Sequence, residues 1–203
     1  MRIGRTLPPT AAPLDLGDIF SGLRALFEKD NFTNSFNQSV CDFFGQRHCF
    51  LVSSGKAALT LVLTALKKAN PQRNHVLIPA YSCYSIPSAI RRAGLEISLC
   101  DIDPETLDFD TAELQTRLAD PYLLCVIPVH LFGIPADIGR LRTMLKDPQV
   151  VIIEDAAQAM GTFYKNTYLG TQGDVGIFSL GRGKALSTVE GGVVITNSDE
   201  LAA

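Results

Sequence analysis

One lysine stands on a glycine-flanked bend between two apolar runs. The stretch DVGIFSLGRGKALSTVEGGVVIT carries an apolar run that ends at Leu180, presents Lys184, and resumes after a pair of glycines. Loss of water disfavours a charged ammonium and leaves a nucleophilic amine. Such an amine is what Schiff-base chemistry requires. A solvated turn lysine is the alternative interpretation.

A second polar segment, Ser53-Ser54-Gly55-Lys56, lies between a predicted strand and a predicted helix. Free N–H groups at a helix N-terminus bind anions, and glycine permits a close approach. Ala57 follows where a Walker loop has Ser or Thr, so the segment is not a P-loop. Helix capping by Ser54 is the alternative. A cation in a first helical turn is unfavourable to the dipole, and a bound phosphate would rationalise Lys56.

Two carboxylates, Glu154 and Asp155, end an apolar run that begins at Val151. Ligands of open α/β sheets bind at the carboxyl ends of the strands. One of these carboxylates either caps the following segment or keeps the nitrogen of a heteroaromatic ring protonated. Gln158, three residues on, would lie on the same side of a helical turn and reach the same ligand.

Aromatic and imidazole side chains follow two other predicted strands. In Tyr81-Ser82-Cys83-Tyr84 an aromatic ring either stacks on a flat cofactor or belongs to the core. His130 is either a polar residue of a substrate site or a hydrogen-bonded structural histidine.

Short apolar strands alternate with amphipathic helices along the chain. Helical spacing is found at 14–27, 32–44, 56–69, 85–93, from Thr111 and at 136–145, and strand patterns at 48–52, 75–78, 96–102, 122–129, 150–154 and on both sides of Lys184. This alternation predicts a three-layer α/β/α fold with a mostly parallel central sheet. Residues 1–30 are predicted to form a proline-rich arm and a helix, and residues 31–203 one large domain.

Composition excludes several classes of protein. The 203 residues are 46% hydrophobic and 19% charged, with a net charge of −3 and scattered cations, which does not favour binding of nucleic acid or an anionic membrane. No apolar run reaches membrane-spanning length. The five widely spaced cysteines form no zinc-like pattern, so we expect no metal site and buried thiols in a reducing compartment, the cytoplasm.

Four segments together resemble the DegT/DnrJ/EryC1/StrS sugar aminotransferases, pyridoxal-phosphate enzymes of the aspartate-aminotransferase fold type. The matching segments are SSGKAALTLVLTAL, VLIPAYSCYSIPSAIRRAGLEISLCDIDPETLDFD, VIPVHLFGIPADI and VIIEDAAQAMGTFYKNTYLGTQGDVGIFSLGRGKALSTVEGGVVIT, in the family's order over roughly residues 50 to 200. The last segment is the specific one.

The resemblance implies a role for each candidate residue. Lys184, five residues after Ser179, would join the cofactor covalently and later shuttle a proton. Asp155 would pair with the ring nitrogen and Gln158 would approach the ring hydroxyl. Ser179 would bind the cofactor phosphate together with Ser54, Gly55 and Lys56. Cys83 occupies the position where the family stacks an aromatic ring, so Tyr84 or Tyr81 would have to compensate.

Other departures concern the substrate and the chain length. Lys56 stands where the family usually has Thr, and Gly181 replaces the usual aromatic residue or histidine. Family members continue into a smaller C-terminal domain and share their active sites across a dimer. The resemblance therefore implies that this chain lacks that domain, as a fragment, a truncated product or half of a split enzyme with exposed apolar surfaces.

The function implied by the resemblance is amino transfer from glutamate to a nucleotide-linked keto sugar, in cell-surface polysaccharide or secondary-metabolite biosynthesis. A homodimer, or a partner chain that supplies the missing half, is implied as well. The retained lysine argues against the family's dehydratases, which lack it. A chain that keeps the fold, and even the cofactor, without turnover is the alternative.

Overall fold

The computed structural model describes residues 16–25, 27 and 32–203, which form three layers around one sheet. Seven strands make the sheet in the order β1-β9-β8-β5-β4-β2-β3. Their bounds are β1 His48–Val52, β2 His75–Pro79, β3 Glu96–Cys100, β4 Leu123–Val126, β5 Val151–Asp155, β8 Val175–Ser179 and β9 Gly192–Thr196. A separate small hairpin joins β6 (Phe163–Tyr164) to β7 (Thr167–Tyr168).

Only β9 runs against the other strands of this sheet. The pairs β2–β3, β2–β4, β4–β5 and β5–β8 are parallel, whereas β9 is antiparallel to both β8 and β1. The loops after β1, β2, β4, β5 and β8 therefore leave from one edge, and β9 enters the sheet from that same edge. This edge is where ligands bind in open α/β sheets.

Helices cover both faces of the sheet. The helices are α1 Leu16–Ala25, α2 Phe32–Phe44, α3 Gly55–Ala69, α4 Ser85–Arg92, α5 Thr111–Arg117, α6 Ile138–Met144 and α7 Asp199–Ala202. α3 and α4 pack on one face against β2, β4, β5 and β8, while α5 and α6 pack on the opposite face and α2 packs there over β8 and β9. The predicted three-layer α/β/α fold with a mostly parallel sheet is confirmed.

Local sequence explains where several helices begin and end. Ser54, Asp110, Asp137 and Ser198 each accept a backbone N–H in the first turn of the helix that follows, as N-cap residues do. Gly45 ends α2 with a positive φ of 63°, a conformation that glycine adopts without a steric penalty.

The predicted elements are found, with shifts of a few residues at their ends. The prediction for α2 matches in full, while the strand predicted at 122–129 is shorter: it ends at Val126, and beyond it only an isolated bridge pairs Val129 with Asp155. The hairpin β6–β7 was missed. Each of its strands has two residues, too few for an alternating pattern, and Lys165 and Asn166 take the positive φ angles of a tight hairpin turn.

The N-terminal prediction is tested only in part. The predicted arm at 1–13 lies outside the described residues, as do Leu14 and Leu26 of the predicted first helix. In α1, Leu16, Ile19, Phe20 and Leu23 are each more than half exposed, so this predicted apolar stripe is not buried against the sheet. Among the described residues, no helix has the length and apolar character needed to cross a membrane.

The contribution of the α3 face to stability can be measured with two leucines of one helix. Leu63 is fully buried and Leu61 is 53% exposed. We expect Leu63→Ala to lower the free energy of unfolding by about 2–5 kcal/mol, because it leaves a cavity in the core. Leu61→Ala should change it by no more than about 0.5 kcal/mol. Urea unfolding of both variants checks this, and equal losses would contradict the packing described.

Candidate active site

The carboxyl edge of the sheet holds a cavity of about 670 Å³. Except for Tyr81, the residues to which the sequence assigned a site role line it: Ser54, Gly55, Lys56, Cys83, Tyr84, Asp155, Gln158, Ser179 and Lys184. They come from the carboxyl ends of β1, β2, β5 and β8 and from the segments that follow, which the parallel topology directs to one place. The structure brings these residues together, and their individual roles remain predictions.

The N-terminus of α3 packs unusually close to the last two strands. A Cβ atom on Gly192 would lie 2.6 Å from the Gly55 nitrogen and closer still to the Ser54 carbonyl, and one on Gly55 would lie 2.9 Å from the Ser179 Cβ. Only glycine fits at both positions without a shift of the backbone. Ser54 and Ser179 are thereby held on the same wall of the cavity.

Ser54 is a helix cap and also a residue of the cavity. Its Oγ accepts the Ala57 N–H at 3.1 Å, which confirms the capping interpretation. The N–H groups of Gly55 and Lys56 have no partner among the described residues, as expected in the first turn of a helix. These donors, the two serine hydroxyls and the exposed Lys56 could hold an anionic group such as a phosphate.

Asp155 ends β5 as a buried carboxylate that faces the cavity. Its Oδ1 accepts the Ala157 N–H at 3.0 Å, so it caps the following turn. Among the described residues its Oδ2 has no hydrogen-bond partner. Burial raises the pKa of the Asp155 carboxyl, while the Ala157 N–H and Lys184 oppose that rise. A buried carboxylate with a free oxygen is suited to bind a cationic N–H donor.

Gln158 reaches the cavity from a turn and not from a helix. The segment after Asp155 forms turns, with the Ala159 N–H bonded to the Ala156 carbonyl at 2.9 Å. The Gln158 Oε1 accepts the Phe132 N–H at 3.0 Å. Its amide NH₂ therefore remains as a donor for a ligand oxygen.

His130 and Glu154 form a buried pair behind the cavity wall. Both side chains are fully buried, and the His130 Nε2 lies 2.7 Å from the Glu154 Oε2. The His130 Nδ1 accepts the Ala136 N–H at 3.1 Å. With both ring nitrogens engaged inside the protein, the structural interpretation of His130 is the correct one, although the residue lines the cavity.

Lys184 lies in a loop that is closed at its base. The Leu180 N–H donates to the Gly191 carbonyl at 2.9 Å, and the Thr188 N–H donates to the Leu180 carbonyl at 3.0 Å. Lys184 itself is half-buried, so its amine has left water only in part. It lines the same cavity as Ser54 and Asp155, an arrangement on which the proposed chemistry depends.

The segment after β2 contributes one tyrosine to the cavity and not two. Tyr84 lines it and is 80% exposed, whereas Tyr81 does not line it. Cys83 is exposed, and its sulfur accepts the Ser85 hydroxyl at 3.1 Å. Of the two tyrosines considered as a replacement for the family's stacking residue, only Tyr84 is placed to act.

Several lining residues were missed by the sequence interpretation. Arg182, Val189 and Glu190 come from the Lys184 loop, and Ser85 comes from the start of α4. The GRGK motif put Arg182 beside the predicted lysine, a signal that went unused. Glu190 and Val189 gave no signal of their own, since their position depends on how the loop folds back.

The fold and the cavity define a class: an α/β protein with a lysine, a buried acid and the N-terminus of a helix at the carboxyl edge of its sheet. The family model described as the DegT/DnrJ/EryC1/StrS aminotransferase family matches residues 24–203. The chain belongs to this family. Among curated proteins, GDP-perosamine synthase of Caulobacter vibrioides is 31% identical over 172 residues, which are 85% of this chain and 46% of that protein.

Solved structures agree with this fold. The sugar aminotransferase CalS13 from Micromonospora echinospora has a TM-score of 0.86 at 28% identity, over 96% of this chain and 55% of that one. An E. coli GDP-4-keto-6-deoxy-D-mannose-3-dehydratase with bound hydrated PLP has a TM-score of 0.85 at 24% identity, over 96% of this chain and 52% of that one. The chain thus spans about half the length of these relatives.

The buried acid should make the protein less stable at neutral pH. Because burial raises the pKa of Asp155 in the folded state, the stabilisation by its protonated form is fully present below the unfolded pKa, roughly 3.9, and is lost as the pH rises through the folded pKa. Asp155→Asn keeps an oxygen for the Ala157 N–H and cannot ionise. We expect the variant to gain in stability over the wild type as the pH rises.

Urea unfolding of the wild type and of Asp155→Asn between about pH 4 and pH 8 measures this difference. The gain should appear at neutral pH and close toward roughly pH 4, near the unfolded pKa of aspartate. A variant that loses stability relative to the wild type as the pH rises would contradict the assignment.

Proposed function

We propose that this chain binds pyridoxal 5′-phosphate and forms the cofactor-binding part of an aminotransferase that transfers an amino group from glutamate to a nucleotide-linked keto sugar. One observation carries the proposal. The nine residues that the family resemblance assigns to the cofactor come from four strand ends and the segments that follow them, and all nine line one cavity.

When bound, pyridoxal phosphate supplies an aldehyde that joins amines and a ring that withdraws electrons from the substrate bond that breaks. Lys184 would be the amine that holds the aldehyde at rest, and its Nζ would accept the α-proton of the amino donor. Asp155 offers its free Oδ2 to the ring N–H. This charge-assisted hydrogen bond would offset the cost of its burial.

The remaining residues of the cavity orient the cofactor. The Gln158 amide NH₂ is free to donate to the ring hydroxyl, since Phe132 occupies its Oε1. Ser54, Ser179, the Gly55 and Lys56 N–H groups and the Lys56 ammonium suit a phosphate dianion. Tyr84 and Cys83 line the cavity and would lie against the ring face. Cys83 offers a smaller surface than an aromatic ring would.

The substrate class is supported by the names of the relatives. One is a GDP-perosamine synthase, one a sugar aminotransferase, and a further structure, 28% identical, is DesI in the presence of its TDP-sugar product. The exposed Lys56 and Arg182 are both cations that line the cavity and could meet an anionic substrate. Products of such reactions serve cell-surface polysaccharide or secondary-metabolite biosynthesis.

A second copy or a partner chain belongs to the proposal. The apolar stripe of α1 and exposed side chains such as Phe43 and Leu186 offer surface for a partner.

The proposal also includes a compartment, the cytoplasm. The five cysteines are free, three of them buried, and burial raises the pKa of Cys49 and of Cys100 to about 12. Unreactive thiols of this kind agree with a protein that works in the cytoplasm.

Covalent labelling tests the role of Lys184. We expect borohydride reduction of the protein loaded with pyridoxal phosphate to fix the cofactor on Lys184, as peptide mapping by mass spectrometry would show. Lys184→Ala should abolish the label, whereas Lys165→Ala, on the hairpin and outside the cavity, should leave it unchanged. A label on Lys56, or no label although cofactor is bound, would overturn the assignment.

Addition of glutamate separates catalysis from binding without turnover. The loaded chain should release 2-oxoglutarate in proportion to bound cofactor, and the absorbance of the aldehyde form should fall. Lys184→Ala should reduce the rate by several orders of magnitude, because it removes the group that moves the proton. Cofactor bound at Lys184 without 2-oxoglutarate would favour the alternative, a cofactor-binding chain that is inactive as it stands.

A further inference from the structure

The pair of Glu154 and His130 is buried, ionisable and not used by the proposed chemistry. Glu154 precedes Asp155 on β5, and its side chain is on the opposite face of the sheet because side chains alternate along a strand. There it accepts four N–H groups: those of His130 and Gly170 at Oε2, and those of Gln172 and Gly173 at Oε1. A carboxylate with this many partners belongs to a fully satisfied buried network.

The proton positions of this network follow from its donors. The Ala136 backbone N–H donates to the His130 Nδ1 at 3.1 Å, so Nδ1 carries no proton. The proton of the neutral ring is then on Nε2, where it is donated to the Glu154 Oε2 at 2.7 Å. A second proton on the ring would face the Ala136 N–H. The geometry therefore selects one neutral tautomer.

The backbone of residues 130 to 132 links this network to two predicted cofactor contacts. The His130 N–H donates to the Asp155 carbonyl at 3.0 Å, and the Asp155 N–H donates to the Pro128 carbonyl at 2.9 Å. Two residues on, the Phe132 N–H donates to the Gln158 Oε1 at 3.0 Å. An anchored His130 ring thus fixes the segment that holds both Asp155 and Gln158.

We propose that Glu154 and His130 are positioning residues for the cofactor site. Glu154 anchors the His130 ring by accepting its Nε2 proton, the anchored ring holds residues 130 to 132 against the end of β5, and that segment orients the Asp155 and Gln158 side chains. The inference rests on the proposed function only for the identity of the ligand. The tautomer and the anchoring belong to the protein alone.

Glu154→Gln tests this with no change in side-chain size. Each carboxylate oxygen of Glu154 accepts at least one backbone N–H, so an amide NH₂ at either position faces a donor. If the His130 Nε2 instead accepted from the amide, the proton would move to Nδ1 and face the Ala136 N–H. The variant therefore cannot restore the network by changing the tautomer.

Three measurements follow, two of them on the protein without cofactor. The ¹⁵N shifts of His130 should show a protonated Nε2 and an unprotonated Nδ1 in the wild type, and a changed Nε2 shift in Glu154→Gln, where the carboxylate acceptor is lost. The amides of His130 and Phe132 should exchange with solvent at least tenfold faster in the variant. Pyridoxal phosphate, titrated by absorbance, should bind about tenfold more weakly, the low end of the factor that outer partners of metal-binding side chains control.

Leu63→Ala is the matched control, since it lowers stability from a core position that does not line the cavity. A purely structural role predicts that Glu154→Gln, studied where both variants are fully folded, behaves like Leu63→Ala in the His130 Nε2 shift and in cofactor affinity. That result, or His130 and Phe132 amides that exchange at the wild-type rate in Glu154→Gln, would overturn the proposal. If the wild type fails to bind pyridoxal phosphate, the proposed function fails, while the shifts and exchange rates still decide the positioning role.

Discussion

The close approach of the α3 N-terminus to β8 and β9 is the constraint on which the cavity depends. Gly192 and Gly55 leave no room for a Cβ, and so Ser54 and Ser179 meet on one wall. The reversed direction of β9 makes this possible, because its first residue and the last residue of β8 lie at the same edge. The Lys184 loop bridges these two strand ends. A side chain at residue 192 would push the N-terminus of α3 away from the loop that carries Lys184.

The buried carboxylate that faces the cavity, Asp155, lowers the stability of the protein when it is ionised. Asp155 is buried with one oxygen left without a partner, and burial raises its pKa. Its neighbour Glu154 is just as buried but is satisfied by four N–H donors. The two adjacent carboxylates therefore differ in their surroundings. Glu154 completes a network within the protein, whereas Asp155 keeps one oxygen without a partner among the described residues. Sites that bind ligands commonly retain such unsatisfied groups.

Sequence patterns predicted the layers and the residues around the cavity, because both follow from local rules. Strand and helix periods identify the elements, and the parallel topology sends Ser54, Asp155 and Ser179 to one edge. The roles of Glu154 and His130 could not be predicted in this way. Their hydrogen bond joins residues 24 positions apart, and the turn at Gly170 and Gln172 reaches Glu154 from 16 to 18 positions away.

The turn that carries Gln158 shows the same limit on a smaller scale. A helical turn was expected after Asp155, but the Asp155 side chain caps the backbone there, and the chain turns toward Phe132 instead. Tyr81 was a candidate as an aromatic residue that follows a strand and could replace the family's stacking residue, but Tyr84 is the tyrosine that lines the cavity. Side-chain competition for backbone donors decides such details, and no periodic pattern records it.

The strand order also has a consequence for synthesis of the chain. β1 pairs only with β9 within the sheet, and Arg47 bonds to Asn197 across a separation of 150 residues. The ribosome releases the N-terminal part first, so β2, β3, β4 and α3 can pack while β1 still lacks its neighbour. Pairings this distant in sequence form late. We therefore expect the sheet to be completed last by β9, which inserts between β1 and β8.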